Sequence, residues 1–264
     1  PQKWYFRNAM QKEMYSIHTT LGCTRSCKFC SNWKKAGYDR LQKKEIGQIR
    51  KELKRIAEYS DDFYLSIMDD NLFLDVRHAK EVLKAISALK TRWFAPTDVS
   101  VAGDPKLLKL IRKSGCRMLA LGLESLDVKN LKWLAPWKAK QVKDYREAIK
   151  RLRDEGINAM GSFMVGLEHD TPSTFDEIFD FFIETKLAAV AVGILTPYPG
   201  TQIRERLIAE GRLDLKAQWG DHTCYNLLYR HPALSKKDIY DGLFRFYQRC
   251  GSPEVVRHMK KVTF

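Results

Sequence analysis

The sequence predicts an α/β protein whose strands form a parallel sheet. Short apolar runs of strand type alternate with longer amphipathic runs of helix type from residue 15 to residue 211, which is the pattern of consecutive βα units. Polar residues, glycines and prolines follow the strand runs, and ligands gather at the carboxyl ends of parallel strands. On these observations alone, six parallel units fit either a doubly wound open sheet or a partial barrel.

The strand predictions rest on apolar runs bounded by turn residues. YSIHTTL opens the series, and the third run is interrupted by Pro96, which is unusual inside a sheet. We predict six strands, at 15–21, 63–68, 93–102, 116–123, 157–167 and 187–196.

The helix predictions rest on apolar spacing and on end signals. Ile46, Ile49 and Leu53 recur at helical spacing, and Asp104 followed by Pro105 is a typical helix start. We predict helices at 42–58, 76–89, 105–114, 140–155, 172–185 and 201–210.

The chain divides by composition into an arm at 1–14, the α/β unit at 15–211 and a mostly helical, aromatic-rich C-terminal extension at 212–264. The first residue is Pro1 rather than Met, which indicates a fragment or a processed form. No apolar run reaches the length of a membrane span, and no signal-peptide pattern opens the chain. We therefore expect a cytoplasmic protein with reduced thiols.

The chain is basic, with 46 Lys and Arg against 32 Asp and Glu and a net charge of +14. This charge favours an acidic partner, such as nucleic acid, an anionic substrate or an acidic electron-transfer protein. The basic residues are scattered over helical segments, so charge by itself identifies no partner.

Three cysteines, Cys23, Cys27 and Cys30, lie within eight residues in the stretch GCTRSCKFCSNW, directly after the first predicted strand. One loop of this spacing can place three thiolates around a metal centre and leave one coordination position for another ligand. A structural zinc site, with His18 or a distant cysteine as the fourth ligand, is the alternative.

The loop CTRSCKFC resembles the radical S-adenosylmethionine (radical SAM) enzymes. The resemblance extends through DDNLFLD, DVSVAGDP, GCRMLALGLES, GSFMVGLEHDTPSTF and ILTPYPGT, which look like the catalytic domain of the cobalamin-dependent subgroup. Tetrapyrrole cyclases, radical methylases and, more distantly, methylthiotransferases belong to this neighbourhood. The resemblance implies a partial (β/α)6 TIM-like barrel.

The resemblance also implies a 4Fe–4S cluster on Cys23, Cys27 and Cys30. In that family the cluster reductively cleaves S-adenosylmethionine to a 5′-deoxyadenosyl radical, which abstracts hydrogen from an organic substrate, here for methyl transfer or ring modification. The positions that match family contacts to S-adenosylmethionine are Phe29, Asp69, Asp70, Glu124, Ser125, Ser162, Gly166, Leu195 and Thr196.

The substrate is expected to be a small molecule or peptide, and the reductant a protein of the flavodoxin or ferredoxin type. Cobalamin enters only if an upstream domain or a partner supplies it. Tyr198 and Cys224 are candidate catalytic residues. One alternative is an RNA-modifying, methylthiotransferase-like enzyme, which agrees with the net charge but is not favoured, since no basic run interleaved with aromatic residues appears. The other is a zinc-stabilised non-catalytic binding module.

Overall fold

The computed structural model describes residues 13–31, 41–60 and 62–263, so residues 1–12 of the predicted N-terminal arm lie outside the described part. Its strands run in chain order as β1 Glu13–Ile17, β2 Thr20–Leu21, β3 Gln42–Lys43, β4 Phe63–Ile67, β5 Arg92–Thr97, β6 Cys116–Glu124, β7 Asn158–Val165 and β8 Ala189–Ile194. Its helices are α1 Ile46–Ala57, α2 Val76–Ser87, α3 Pro105–Lys113, α4 Val128–Leu134, α5 Pro136–Ala139, α6 Tyr145–Asp154, α7 Thr174–Thr185, α8 Gln202–Ala209, α9 Lys236–Cys250 and α10 Pro253–Thr263.

Six strands form one parallel sheet in the order β1-β4-β5-β6-β7-β8, while β2 and β3 form a short antiparallel pair. The order follows the chain and never reverses, whereas a doubly wound sheet changes direction at a switch point. The sheet is therefore a curled half-barrel, which confirms the partial (β/α)6 TIM-like barrel.

The core lies between the outer face of the sheet and the helices. Alternate strand residues such as Leu65, Trp93, Leu119 and Val165 are fully buried on this face. Their partners at the intervening positions face the concave side, because successive strand residues point to opposite faces.

The helix start at Asp104 is confirmed, since its carboxylate accepts hydrogen bonds from the N–H groups of Lys106 (2.9 Å) and Leu107 (3.0 Å). Gly115, after the same helix, has φ +97°, and a Cβ there would lie 2.1 Å from the Thr91 carbonyl oxygen. Only glycine fits this turn into β6.

Several predicted elements have different bounds in the structure; among the helices, the one predicted at 140–155 begins only at Tyr145, after a 3₁₀ turn at Val142–Asp144. The predicted strand 93–102 ends at Thr97, because the Asp98 side chain accepts from Ser100 N–H (2.8 Å) and starts a 3₁₀ turn at Val99–Gly103. The first predicted strand is split into β1 and β2. The helix predicted at 42–58 begins only at Ile46, since Gln42 and Lys43 pair with β2.

The short helices α4 and α5 were not predicted. Asp127 caps α4 through Lys129 N–H (2.7 Å), and Pro136 begins α5 directly after Ala135. Both are shorter than the window of about 11 residues over which helical periodicity can be read from a sequence. The helix α5 carries Trp137 and Lys138, whose side chains line the candidate site described below.

The C-terminal residues cover one edge of the half-barrel. The Tyr247 hydroxyl accepts from Val192 N–H (2.9 Å) and donates to the Val192 carbonyl (2.7 Å), and Ile194 N–H donates to the Cys224 carbonyl (2.6 Å). These bonds satisfy backbone groups of β8 that would otherwise face outward at the sheet edge. The boundaries at 15, 211 and 212 remain a prediction.

Candidate active site

A cavity of about 210 Å³ lies at the carboxyl ends of the strands, where the cysteine loop meets the half-barrel. Five strands of the parallel sheet, β1, β4, β5, β6 and β7, contribute to its wall, either through a strand residue or through the loop that follows. The lining residues are Cys23, Arg25, Cys27, Phe29, Cys30, Asp70, Asn71, Pro96, Thr97, Asp98, Ala120, Gly122, Glu124, Trp137, Lys138 and Ser162.

The cysteine loop is held from two sides. Lys28 N–H donates to the carbonyl of Leu134, the last residue of α4 (2.8 Å), and the Lys28 carbonyl accepts from Ile203 N–H in α8 (3.1 Å). Cys30 N–H donates to the Cys27 carbonyl (3.1 Å) and closes a turn inside the loop. The backbone that carries the thiols is thus fixed by the barrel.

Two of the thiols receive hydrogen bonds at sulfur. The Trp137 indole N–H donates to Cys27 Sγ (3.3 Å), and Arg25 backbone N–H donates to Cys23 Sγ (3.4 Å). Burial raises the pKa of the Cys27 thiol to about 11, against a smaller opposing effect of the Trp137 bond, and burial also raises the pKa of Cys23. Without a bound metal these thiols keep their protons, and metal binding has to release them.

The donor set fits a polynuclear iron–sulfur centre. All six cysteines lie in the described part of the chain, and none forms a disulfide. Cys23, Cys27 and Cys30 line the cavity, so three soft sulfur ligands are available there. Across the described ranges, no three His, Cys, Asp or Glu side chains converge closely enough to hold a single metal ion. A cluster accepts each thiolate on a different iron and does not require such convergence. The buried Nε of Arg25, which has no hydrogen-bond partner, adds a donor beside the sulfurs.

A buried ion pair forms another part of the cavity wall. Glu124, at the end of β6, lies 3.2 Å from Lys138 Nζ, and the two side chains are 14% and 6% exposed. Lys138 also donates to the Gly122 carbonyl. A Cβ on Gly122 would lie 2.6 Å from Glu124 Oε1 and 3.0 Å from Lys138 Nζ, so glycine makes room for the pair. Glu124 has φ +68°, an unfavourable conformation for a residue with a side chain.

A second polar group lies at the ends of β4 and β5. Asn71 donates through Nδ2 to Asp98 (2.8 Å) and accepts from the Thr97 hydroxyl (3.1 Å). Burial alone would raise the pKa of Asp98, but hydrogen bonds from Ser100 and Asn71 outweigh this effect and hold its pKa below the ordinary value. The cavity therefore contains a stable carboxylate at this position.

The structure brings seven of the predicted site residues to the cavity: Cys23, Cys27, Cys30, Phe29, Asp70, Glu124 and Ser162. Asp69 lies elsewhere. It is 1% exposed, and its carboxylate accepts from the N–H and hydroxyl groups of Thr19 and from the Thr20 hydroxyl (2.8 Å). These bonds fix the segment that leads from β1 into the cysteine loop.

Four other predicted residues also lie outside the residues that line the cavity. The Ser125 hydroxyl accepts from Asp127 N–H (3.1 Å) at the start of α4. The Gly166 carbonyl accepts from the Tyr229 hydroxyl (2.6 Å), and Gly166 itself has φ +82°. Leu195 and Thr196 are buried after β8, where Leu195 N–H donates to the Val165 carbonyl (2.9 Å).

The two candidate catalytic residues are neighbours. The Tyr198 hydroxyl lies 3.4 Å from Cys224 Sγ and donates to the His222 carbonyl (3.1 Å). The hydrogen bond with Cys224 and burial raise the pKa of Tyr198 to about 12. Neither residue is among those that line the cysteine cavity.

Sequence reasoning missed Trp137, Lys138, Asn71 and Asp98 as site residues. A signal existed for Asn71, which comes shortly after the predicted strand at 63–68, whereas Asp98 lies inside the predicted strand at 93–102 and follows a strand end only in the structure. Trp137 and Lys138 carried none, because they lie in the run WLAPWKAK and reach the cavity only through the packing of α4 and α5.

The model of the radical SAM superfamily matches residues 17–182, and the chain belongs to this superfamily. Its members are enzymes that use a 4Fe–4S cluster and S-adenosylmethionine, and the three cysteines that line the cavity are ligands of the type such a cluster takes. In the described part of the chain, no helix has the length and apolar character needed to cross a membrane.

The chain is similar to several characterised relatives. It is 23% identical over 235 residues to bacteriochlorophyllide d C-12(1)-methyltransferase of Chlorobaculum tepidum, covering 88% of this chain and 50% of that protein. It is 27% identical over 258 residues to the anaerobic magnesium-protoporphyrin IX monomethyl ester cyclase of Cereibacter sphaeroides, covering 92% and 38%. The chain thus spans half or less of the length of these two relatives.

The fold is also similar to solved structures. The radical S-adenosylmethionine methyltransferase TsrM from Kitasatospora setae, with cobalamin and a 4Fe–4S cluster bound, has a TM-score of 0.66 and 20% identity, covering 86% of this chain and 46% of that one. The cobalamin-dependent radical enzyme OxsB, with aqua-cobalamin and S-adenosylmethionine bound, has a TM-score of 0.64 and 13% identity, covering 94% and 44%.

Proposed function

We propose that this chain is the catalytic domain of a cytoplasmic radical SAM methyltransferase. The observation that carries the proposal is that three cysteines and a buried Glu–Lys pair line the same cavity at the carboxyl ends of the strands. When bound, the cluster supplies the electron that cleaves S-adenosylmethionine and so starts hydrogen abstraction from the substrate. The names of the relatives, among them methyltransferases and a ring-forming cyclase, support methyl transfer and keep ring modification as a second outcome.

Cys23, Cys27 and Cys30 would hold the cluster, and the open iron position would take the amino acid part of S-adenosylmethionine. N–H donors to thiolate sulfur raise a cluster's potential, so the Trp137 bond to Cys27 would make the cluster easier to reduce. These roles belong to the first step of the reaction.

Glu124 and Asp70 would bind the cationic or hydroxyl groups of S-adenosylmethionine, because carboxylates accept hydrogen bonds from both. Phe29 and Ser162 would lie against the adenine. Lys138 would hold the Glu124 side chain in place through their buried ion pair. Five predicted residues outside the cavity lining would position the loops that carry these contacts: Asp69, Ser125, Gly166, Leu195 and Thr196.

An acidic electron donor of the flavodoxin or ferredoxin type would dock beside the cysteine loop. Lys28 Nζ lies 4.1 Å from the centre of the Trp133 ring, and the Arg206 guanidinium lies 4.9 Å from the same ring. Arg206 also pairs with Glu210 (2.6 Å), so Lys28, which directly follows Cys27, is the cation that would give a positive surface close to the cluster ligands.

The test is 5′-deoxyadenosine formation after anaerobic reconstitution with iron and sulfide, with S-adenosylmethionine and a strong reductant. We expect the product from the wild type and its loss in Cys27→Ala, while Cys250→Ala, which removes a thiol from α9, keeps it. Absence of product from the wild type with an intact 4Fe–4S cluster would refute the proposed function.

The methyl-transfer part needs a separate measurement. Adding cobalamin, or a cobalamin-binding partner, to the reconstituted protein should allow a methyl group from labelled S-adenosylmethionine to appear in an acceptor. Label that stays in methionine, with 5′-deoxyadenosine as the only other product, would instead support ring modification.

A further inference from the structure

The strand register identifies a second surface that is continuous with the cysteine cavity. Pro96, Ala120, Gly122 and Ser162 line that cavity, and Pro96 is paired with Ala120, as Gly122 is with Ser162. Paired residues of parallel strands point to the same side of the sheet, as do residues two positions apart. The concave face therefore continues toward the amino ends of the same strands.

This deeper part of the face is apolar and rich in methionine. Phe94, Met118 and Asn158 form one paired row, and Ala120, Met160 and Ala189 form the next. Phe94, Met118 and Met160 are only partly buried, although the residues on the other face of the same strands are fully buried. A closed barrel fills such an interior with its own side chains, whereas this half-barrel leaves it accessible.

Side-chain size changes along the face. The row next to the cysteines contains Gly122, Ser162 and Ala191, and the rows below contain the long side chains of Met118 and Met160. From Met118 to Glu124 the face is about 20 Å long, at about 3.3 Å per residue. Small residues leave room for a ligand near the cysteines, while methionines adapt to an irregular apolar surface.

Charge is confined to the two ends of this face. At the amino end, Arg92 pairs with Asp62 (2.8 Å), and at the carboxyl end Glu124 pairs with Lys138. The strand residues that the register places between these levels, within the described chain, carry no charged side chain. An anionic ligand such as an RNA strand would find no counter-charge there.

We infer that this concave face binds an apolar, uncharged part of the substrate, such as a hydrocarbon or large ring system, and presents one of its carbons to the cysteine cavity. The inference rests on the proposed function for the role of that cavity. The methionine and phenylalanine side chains bind by shape and apolar contact, so they select for size and low polarity rather than for one hydrogen-bonding pattern.

The test uses the full chain without metal and the uncharged fluorophore N-phenyl-1-naphthylamine. We expect saturable binding to the wild type. A lysine placed on the face, as Met118→Lys or Met160→Lys, should raise the Kd about tenfold, because binding would then bury an unpaired charge. Met118→Leu should bind like the wild type, and Val256→Lys, the matched change on exposed Val256 of α10, should have no effect.

Circular dichroism identifies any lysine variant that does not fold, and Met118→Gln then replaces it, with an expected threefold rise in Kd. Equal Kd values for the wild type and the folded face variants would overturn the inference. So would a wild type that binds no fluorophore, since another segment would then fill the face, or displacement of the fluorophore by single-stranded RNA. A wild type that binds the fluorophore but forms no 5′-deoxyadenosine overturns the proposed function alone.

Discussion

At the scale of single residues, the Glu124–Lys138 pair combines several features that are unfavourable in free energy. Both side chains are largely removed from water, and Glu124 adopts a positive φ. Such a pair adds little net stability compared with apolar residues, but removing one partner leaves an uncompensated charge. A strained, charged and buried arrangement at a strand end is typical of a binding site rather than of a core.

Replacing Lys138 alone should therefore destabilise the folded protein strongly. We expect Lys138→Met to lower the free energy of unfolding by about 3 kcal/mol, because Glu124 is left buried without its partner. Urea denaturation measures this change. In the double variant Glu124→Gln with Lys138→Met, most of the loss should be recovered, and an equal loss in both variants would contradict the pairing.

His231 makes stability depend on pH. Its Nδ1 accepts from the N–H groups of Ala233 (3.1 Å) and Leu234 (2.8 Å), so the proton lies on Nε2, which donates to the Leu167 carbonyl (2.6 Å). Burial lowers the pKa of His231, although the bond to Leu167 opposes this. The folded state thus takes up a proton less readily than the unfolded chain, whose His pKa is about 6.5.

The contribution of His231 is fully present above about pH 6.5 and is lost as the pH falls through the lowered pKa of the folded state. In His231→Asn, whose Oδ1 can accept the same two N–H bonds, the loss of stability between pH 7.5 and 5.5 should be smaller. Urea unfolding at both pH values checks this. Asp170, whose pKa burial raises to about 7, titrates in both proteins with the opposite sign and cancels in the comparison.

At the scale of elements, most of the half-barrel could be predicted because each unit carries its own period and its own end signals. Asp104 and Pro105 defined a helix start, and the buried runs of β6 and β7 defined strands. The bounds failed where a side chain competed with the backbone, as Asp98 does after β5 and Asp69 does at Thr19.

The candidate site could be predicted only in part. Cys23, Cys27 and Cys30 share one loop, so their spacing was visible in the sequence. Lys138 reaches Glu124 only because α4 and α5 fold back over the cavity, and no local period encodes that long-range contact. A side chain that reaches the site only through tertiary packing cannot be identified from its own short segment of sequence.

The turn after α3 offers a test at this scale. Gly115→Ala should lower the free energy of unfolding by about 3 kcal/mol or more, since it combines a positive φ with a clash against the Thr91 carbonyl. Gly200→Ala is the matched control, because Gly200 has φ +80° with open space around it. Its cost should be about 1 kcal/mol. Equal costs in thermal or urea unfolding would show that the clash contributes nothing.

At the scale of the whole molecule, the net charge of +14 matters for binding an electron donor if part of that charge lies beside the cysteine loop. Lys28 and Arg206 lie on Trp133 beside that loop, and Lys28 follows Cys27 directly. Charge at such a point changes the rate of association with an acidic partner more than it changes final affinity.

We therefore expect reduction of the reconstituted protein by an acidic flavodoxin to slow at least about tenfold between 0.05 and 0.5 M salt. Lys28→Glu should slow it at low salt, while Lys150→Glu on the outer helix α6 should have little effect. Stopped-flow absorbance of the cluster gives the rates. Equal rates for the two variants would place the docking surface elsewhere.

The sequential strand order has a consequence for how such a chain can change over generations. The first unit supplies the thiols, the second Asp70, the third Asp98, the fourth Glu124 and the fifth Ser162. Each loop can therefore acquire substitutions or insertions that alter one wall of the pocket while the remaining walls persist. Substrate preference can therefore change one unit at a time, provided that the residues proposed to bind the cluster and S-adenosylmethionine are kept.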